Sequence, residues 1–319
     1  MIDLRRLHVL RAVDHYGTVT AAAQALHFTP SAASQQIRQL ARDLDVQLLE
    51  PQGRGVRLTP AAHSLLAHAD AIQARWEQAE LDLRADHGAP AGLLRVSGFP
   101  MAITVLLAPM AAQLRTRHPR LTVRIQEVMA PESFDLLFEG EIDLAVVEAT
   151  PHNPPLSDVR FDQQPLLDDP FDLVVPATHR LAGLARIDLA EAAREEWIAP
   201  SAESPCRSHV LSACGAAGFT PDFVHYAVDW NVTAHLVAHG LGVALIPRLA
   251  HLAPQLPISR VPCAGNPHRK LLSCTRGAGH QRPAVAAALR ELHDLAPTAV
   301  AWAGRVPELR RGLGDPRTR

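Results

Sequence analysis

Thr29-Pro30-Ser31-Ala32-Ala33-Ser34-Gln35-Gln36-Ile37-Arg38-Gln39-Leu40-Ala41-Arg42-Asp43-Leu44 is the stretch from which the organisation of this chain is read. Thr29 suits a helix N-cap, and Pro30 suits the first helical position, where its missing N–H costs nothing. Ala33, Ile37, Leu40 and Leu44 are spaced four, three and four, which predicts a helix from Pro30 to about Leu44 with one buried face. Ser31, Ser34, Gln35, Arg38 and Arg42 fall largely on the other face. Short hydroxyl and amide side chains near a helix start can meet base edges in a major groove, and arginines further along can reach phosphates. An ordinary solvated face has the same polarity, so the helix alone leaves both readings open.

Its neighbours favour the first. Upstream, Leu4, Leu7, Leu10 and Val13 mark one face of a short helix that Gly17 ends. Thr18 or Thr20 can cap a second, alanine-rich helix from Ala21 to Leu26. Downstream, Gln52-Gly53-Arg54-Gly55 is a turn signal, and Val56-Arg57-Leu58-Thr59 alternates as a short strand, the pattern of a wing. Residues 1–60 hold seven arginines against five acids, so phosphate affinity should depend on geometry and on pairing two copies.

The run Leu7, Ala21-Ala22, Leu26, Thr29-Pro30-Ser31-Ala32, Ser34-Gln35-Gln36-Ile37, Leu40, Leu44, Leu48 and Leu58-Thr59-Pro60-Ala61 resembles the amino-terminal signature of LysR-type transcriptional regulators. The resemblance implies that Ser31, Ser34, Gln35 and Arg38 face double-stranded DNA, with Arg54 and Arg57 of the wing on the backbone or in the minor groove. The chain departs from the family pattern at Ala41, Asp45, Leu49, Pro51 and Ala62, which stand for glutamate, glycine, phenylalanine, arginine and glycine.

Beyond Pro60, the positions Ala62, Leu65, Ala69, Ile72, Trp76, Ala79 and Leu83 alternate spacings of three and four, a heptad seam. A helix packed on its own domain is the other reading. The regular period, ending at Gly88-Ala89-Pro90-Ala91-Gly92, favours a dimer seam with a hinge. The resemblance implies a homodimer or homotetramer, with RNA polymerase as a further partner.

From Leu93 onward strand and helix patterns alternate, which predicts two α/β lobes around a largely parallel sheet. Expected strands are Leu93–Ser97, Leu121–Val128, Asp143–Val147, Phe171–Val175, Trp197–Ala199, Phe223–Val228, Val243–Ile246 and Leu271–Thr275. The runs Phe138-Glu139-Gly140-Glu141-Ile142-Asp143-Leu144-Ala145-Val146 and Val237-Ala238-His239-Gly240-Leu241-Gly242-Val243-Ala244-Leu245-Ile246-Pro247 resemble the effector domain of the same family, built like periplasmic binding proteins. Ligands in such sheets sit beyond the strand ends, at helix N-termini. That points to Ser97, Gly98, Phe99, Pro100, Met101, Met129, Ser201 and Ser204, and the resemblance adds Trp230 and Pro247. Each has a local alternative; Ser204 is a good N-cap regardless of ligand, and Trp230 suits a core.

The organisation expected is therefore α/β: a winged helix-turn-helix over 1–60, a dimerising linker helix over 61–88, a hinge over 89–92, a two-lobed effector domain over 93–298, and a basic, disordered tail over 299–319. With a net charge of -2, DNA contact must come from a local patch. Lys270 is the only lysine, so arginine carries the positive charge, a pattern that a GC-rich coding bias also produces. No apolar run reaches the roughly 18 residues of a membrane span, and the start lacks a secretory core, so the chain is expected in the cytoplasm. Cys206, Cys214, Cys263 and Cys274 show no zinc spacing and are expected as thiols. Cys206 and Cys214 fall roughly where peroxide-sensing relatives carry a reactive pair, and Cys206 would sit in a first helical turn, which can lower a thiol pKa; a disulfide, however, would require that helix to unfold. His235 and His239 lack the glutamate of a zinc peptidase, and Gly240-Leu241-Gly242 lacks the third glycine of a dinucleotide loop. No cofactor, metal or catalytic residue is therefore expected. The alternative is a small-molecule binding protein or enzyme on the periplasmic-binding-protein scaffold, which a signal peptide and the loss of residues 1–60 would favour.

Overall fold

The structure is a computed structural model that describes residues 4–52, 55–66, 68–69, 72, 90–202 and 204–303. It divides into two compact units, Met1–Asp86 and His87–Arg319. Among the described residues no helix is long and apolar enough to cross a membrane.

In the first unit, helices α1 (Leu4–Tyr16), α2 (Val19–Ala25) and α3 (Pro30–Leu44) pack on Leu7, Leu10, Val13, Ala22, Ala23, Ala33, Ile37 and Leu40. Small alanines on α2 and α3 let the helices approach closely. Thr18, not Thr20, caps α2, its hydroxyl accepting from the Ala21 N–H at 3.1 Å. Thr29 caps α3 in the same way, accepting from the Ala32 N–H at 3.2 Å. Asp45 ends α3 in the left-handed region, at φ 52°, where glycine is the easier residue and a short Asp side chain is tolerated.

The wing has two strands, β1 (Leu49–Gln52) and β2 (Gly55–Leu58), paired antiparallel with Leu49 opposite Leu58. The sequence reading missed β1 because Pro51 reads as a breaker; a two-stranded ribbon has free edges on which a proline withdraws no ladder bond. Thr59 then donates its hydroxyl to the Gln47 carbonyl at 2.7 Å and accepts from the Ala62 N–H at 3.2 Å, opening helix α4, described over residues 60–66.

The second unit begins with β3 (Gly92–Gly98), which runs into α5 (Pro100–Ala102), a π-helical turn (Ile103–Leu107) and α6 (Ala108–Arg117). β4 (Leu121–Glu127), α7 (Glu132–Glu139) and β5 (Leu144–Glu148) complete the first lobe's βαβ rhythm. β6 (Phe161–Pro176) crosses between lobes. The second lobe holds β7 (Glu196–Pro200), α8 (Pro205–Ala216), β8 (Asp222–Ala227), α9 (Trp230–Ala238), β9 (Ala244–Pro247) and β10 (Ile258–Pro262). The chain returns through β11 (His268–Arg276) to α10 (Pro283–Ala303), which continues into the segment expected to be tail.

The sheet order is β10-β6-β11-β5-β3-β4, with β9 also on β6, and β7 pairs with β8 separately. The expectation of a largely parallel sheet is corrected here. β3 is parallel to β4 and β5, and β7 to β8, but β11 is antiparallel to β5 and β6, and β9 and β10 are antiparallel to β6. The two crossing strands carry the chain in opposite directions between lobes and so must pair antiparallel. One core cluster, containing Leu94, Val96, Leu106, Met110, Val174, Ile198 and Ile246, draws on both lobes; a second, around Phe171 and Trp197, belongs to the second lobe.

Gly242 shows why its glycine motif belongs to packing. Its φ is +136°, and a Cβ there would stand 2.7 Å from the Glu196 carbonyl oxygen, where β7 and the strand entering β9 exchange bonds.

Candidate DNA interface and effector site

On α3 the buried face leaves Ser31, Gln35, Arg38 and Arg42 exposed and Ser34 half-buried. Ser31 Oγ lies 3.0 Å from Thr29 Oγ1, so the capped end presents two hydroxyls together. Arg42 is turned along the helix, donating to Gln39 Oε1 at 2.6 Å, and Gln39 in turn donates to Asp43 at 2.7 Å. Asp43 also pairs with Arg6 of α1. Arg57 on the wing pairs with its cross-strand neighbour Glu50 at 2.6 Å, and Arg54 lies outside the described residues.

Of the heptad positions, Ala62 and Ala69 are buried in the first unit's own core, with Leu65 partly buried against it. Ile72 is 54% exposed. Trp76, Ala79 and Leu83 lie outside the described residues.

In the second unit, the expected effector positions fall into two groups. Gly98, Phe99, Pro100 and Met101 carry β3 into α5, and Gly98 is tight: a Cβ would meet Leu107 Cδ1 at 2.9 Å. Ser97 is fully buried and donates to Ser133 of α7 at 3.3 Å. Pro100 and Met129 are exposed. On the other lobe, Ser204 caps α8 by accepting from the Cys206 N–H at 3.3 Å, while Ser201 is half-buried before it. Trp230 opens α9 and packs against core residues of both clusters. Pro247 ends β9 opposite Phe171 and is buried.

Between these groups stands a set of charges that the sequence reading missed. Arg269 on β11, 3% exposed, donates through Nε to Asp169 at 2.9 Å and through Nη1 to Glu148 at 3.1 Å. Its Nη1 is 3.6 Å from Cys206 Sγ, its Nη2 is 2.9 Å from Met101 Sδ, and its carbon centre stands 5.1 Å from the Phe99 ring. Glu148 also meets His209 Nε2 of α8 at 2.9 Å, and Asp169 accepts from the Leu249 N–H at 2.9 Å. One guanidinium thus ties the first lobe, both crossing strands and α8. Arg269 is the strand charge for which burial demands acidic partners. Its partners are scattered from Met101 to Cys206, so spacing offered no signal.

The electrostatics follow from these contacts. Burial works to raise the Glu148 carboxyl, but bonds from His209 and Arg269 outweigh it and the pKa falls. Asp169, at 0% exposure, goes the other way, because burial outweighs Arg269 and the Leu249 N–H. The Cys206 thiol is pushed up to about 12 by burial, in spite of Arg269 beside it. The expected lowering in a first helical turn is therefore corrected: desolvation dominates there. All four cysteines are buried and free. His235 and His239 stack with centroids 6.5 Å apart, and no group of metal-ligating side chains occurs among the described residues.

Comparison with known proteins matches both units. Residues 4–63 match the model described as "Bacterial regulatory helix-turn-helix protein, lysR family", and residues 87–297 the "LysR substrate binding domain". The chain is 28% identical to the transcriptional regulator AlsR of Bacillus subtilis (strain 168), over 78% of this chain and 82% of that one. It is 30% identical to a probable hydrogen peroxide-inducible genes activator of Streptomyces viridosporus, over 81% of this chain and 80% of that one. In fold it is similar to a hydrogen-peroxide-bound mutant of OxyR from Corynebacterium glutamicum, with TM-score 0.60, 23% identity, and coverage of 94% and 96%. A winged helix-turn-helix with a capped polar helix, followed by a two-lobed α/β unit, therefore has its counterpart in both family models, and the chain belongs to the LysR family of transcriptional regulators, with a DNA-binding and an effector-binding domain.

Proposed function

We propose that α3 enters the major groove of double-stranded DNA, with Ser31, Ser34 and Gln35 at base edges and Arg38, Arg42, Arg54 and Arg57 on the phosphate backbone or in the minor groove. The observation that carries this is the outward face of α3: Ser31, Gln35 and Arg38 are all exposed on a helix whose opposite face is closed on the core. A helix N-terminus rich in short polar groups fits between phosphate rails and base edges. Arg57 and Arg42 exchange their present partners, Glu50 and Gln39, for phosphate when DNA arrives.

The effector is a small molecule held between the lobes, near Ser97, Gly98, Phe99, Pro100, Met101, Met129, Ser201, Ser204, Trp230 and Pro247. Arg269 at that junction supports this position, since a buried cation touching both lobes is where a polar ligand acts on their closure. Binding shifts the population between arrangements of a dimer and so the spacing of its two reading helices. The seam Leu65, Ile72, Trp76, Ala79 and Leu83 holds the homodimer, while Ala69, expected in that seam, is taken up by the first unit's own core. In the second unit the outer strands β4 and β8 present Ile125, Val224 and Tyr226 to solvent, edges that a second copy would cover. Regulation by binding needs no catalytic group and no cofactor; the protein acts in the cytoplasm, with RNA polymerase as its downstream partner.

The test is binding to a fluorescent duplex carrying the DNA upstream of its own gene, at several salt concentrations. Sequence-selective binding should weaken by at least about tenfold in Ser34→Ala/Arg38→Ala, and the salt slope should fall by about one phosphate contact. Indifference of binding to sequence, or an unchanged affinity in the double variant, would remove α3 as the reader.

A further inference from the structure

We propose a second small-molecule site in the effector-binding unit, apart from the lobe junction, that takes an apolar monocarboxylate. A cavity of about 650 Å³ lies between the segment after β5 and the pair β6 and β11, lined by Pro151, Pro155, Leu156, Leu167, Leu272 and Lys270 among others. Its size falls in the range of small-ligand pockets.

The proline wall is held from both ends. Asn153 donates to the Glu148 carbonyl at 2.7 Å and accepts from Thr150 at 2.9 Å. Gln163, 8% exposed, donates to the Pro154 and Pro155 carbonyls at 3.2 and 3.0 Å. Fixed φ angles and side-chain bonds leave this wall little freedom to lose when a ligand enters.

The lining sets the ligand class. Leu156, 67% exposed, stands out of the wall, the kind of apolar surface that a hydrocarbon or aryl group would cover. The cavity's cation is Lys270, exposed and without an ion-pair partner among the described residues. Its cross-strand neighbour Asp168 approaches His268 instead, at 4.0 Å. A single available ammonium beside an apolar slot matches one carboxylate on an apolar body, whereas Asp168 at the rim disfavours a second negative charge. Lys270 and Asp168 are the chain neighbours of Arg269 and Asp169, so a ligand here presses on the strands that carry the buried charges. None of this requires DNA or a ligand between the lobes.

Because Lys270 is the chain's only lysine, its reaction with an N-hydroxysuccinimide acetate reads the site directly. The full-length protein is acylated with and without sodium octanoate, and modified Lys270 is measured by peptide mass spectrometry. At octanoate ten times its dissociation constant, acylation of Lys270 should slow by about tenfold, while octylammonium should give no protection. Leu156→Asp, a change at an exposed position, should abolish the protection, and Lys270→Gln should abolish the rise in melting temperature that octanoate produces. Unchanged Lys270 acylation in octanoate, equal protection by octylammonium, or a melting-temperature rise that survives in Lys270→Gln would overturn the proposal.

Discussion

On α3, Arg38 stands in solvent over a closed apolar face; on β11, Arg269 is 3% exposed and every nitrogen of its guanidinium has a partner. The same side chain serves two ends. An exposed guanidinium keeps its charge available to an incoming phosphate and contributes little to folding. A buried one has been desolvated already and holds the unit only while its carboxylates stay in place. In this chain, exposure rather than residue type separates groups that recognise from groups that fasten.

Loss of the buried guanidinium should weaken the protein most. Arg269→Ala leaves Glu148 and Asp169 without their shared cation and should cost about 3–5 kcal/mol in urea unfolding of the second unit. Adding Glu148→Gln and Asp169→Asn should restore much of that loss; a cost below about 1 kcal/mol for Arg269→Ala, the range of a surface pair, would mean that the cluster is solvated.

Acid separates the two carboxylates of the cluster. Glu148 has a folded pKa below its ordinary value, so its stabilisation is present above about 4.5 and is lost as pH falls through the lowered value. Asp169 has a folded pKa above its ordinary 3.8, so the folded state takes up its proton first and gains stability as pH falls through that raised value. Denaturation midpoints from pH 7 to pH 3 should therefore decline less on the acid side in Glu148→Gln and lose the preceding gain in Asp169→Asn. Identical profiles for both variants and the parent would contradict the assignment.

Smaller effects are expected in the first unit. Thr29→Ala removes the side-chain cap of α3 and should cost about 1 kcal/mol of stability, visible as a lower melting temperature, with Thr29→Ser restoring it. Smallest is Glu50→Ala on the wing, which removes the half-buried partner of Arg57. It should change stability by less than about 1 kcal/mol, and it should strengthen DNA binding if Arg57 is held back from phosphate. A drop in DNA affinity would show that the pair shapes the wing instead.

Much of the first unit was legible because its signals are local. Thr29, Pro30 and the Ala33-Ile37-Leu40 spacing set α3, and Gly53 and Gly55 marked the wing. β1 escaped because Pro51 contradicts local strand propensity. In the second unit, the first half of β6 escaped because Asp168-Asp169-Pro170 interrupts its apolar pattern, and those acids make sense only beside Arg269 and Leu249. β10 escaped too, since its strand begins in Ile258-Ser259-Arg260, where Arg260 is bonded to the Pro247 and Ala250 carbonyls.

The Thr29 cap of α3, the heptad spacing, the turn residues and the two-part organisation were readable from the residues alone, because their signals lie within short stretches of the chain. Tertiary structure alone decided that Arg269 gathers Glu148, Asp169 and Cys206, that burial raises the Cys206 pKa against its helix, and that Ala69 lies in the first unit's core. Each of those outcomes is set by which distant segments exclude water from a group, and desolvation has no signature in local spacing.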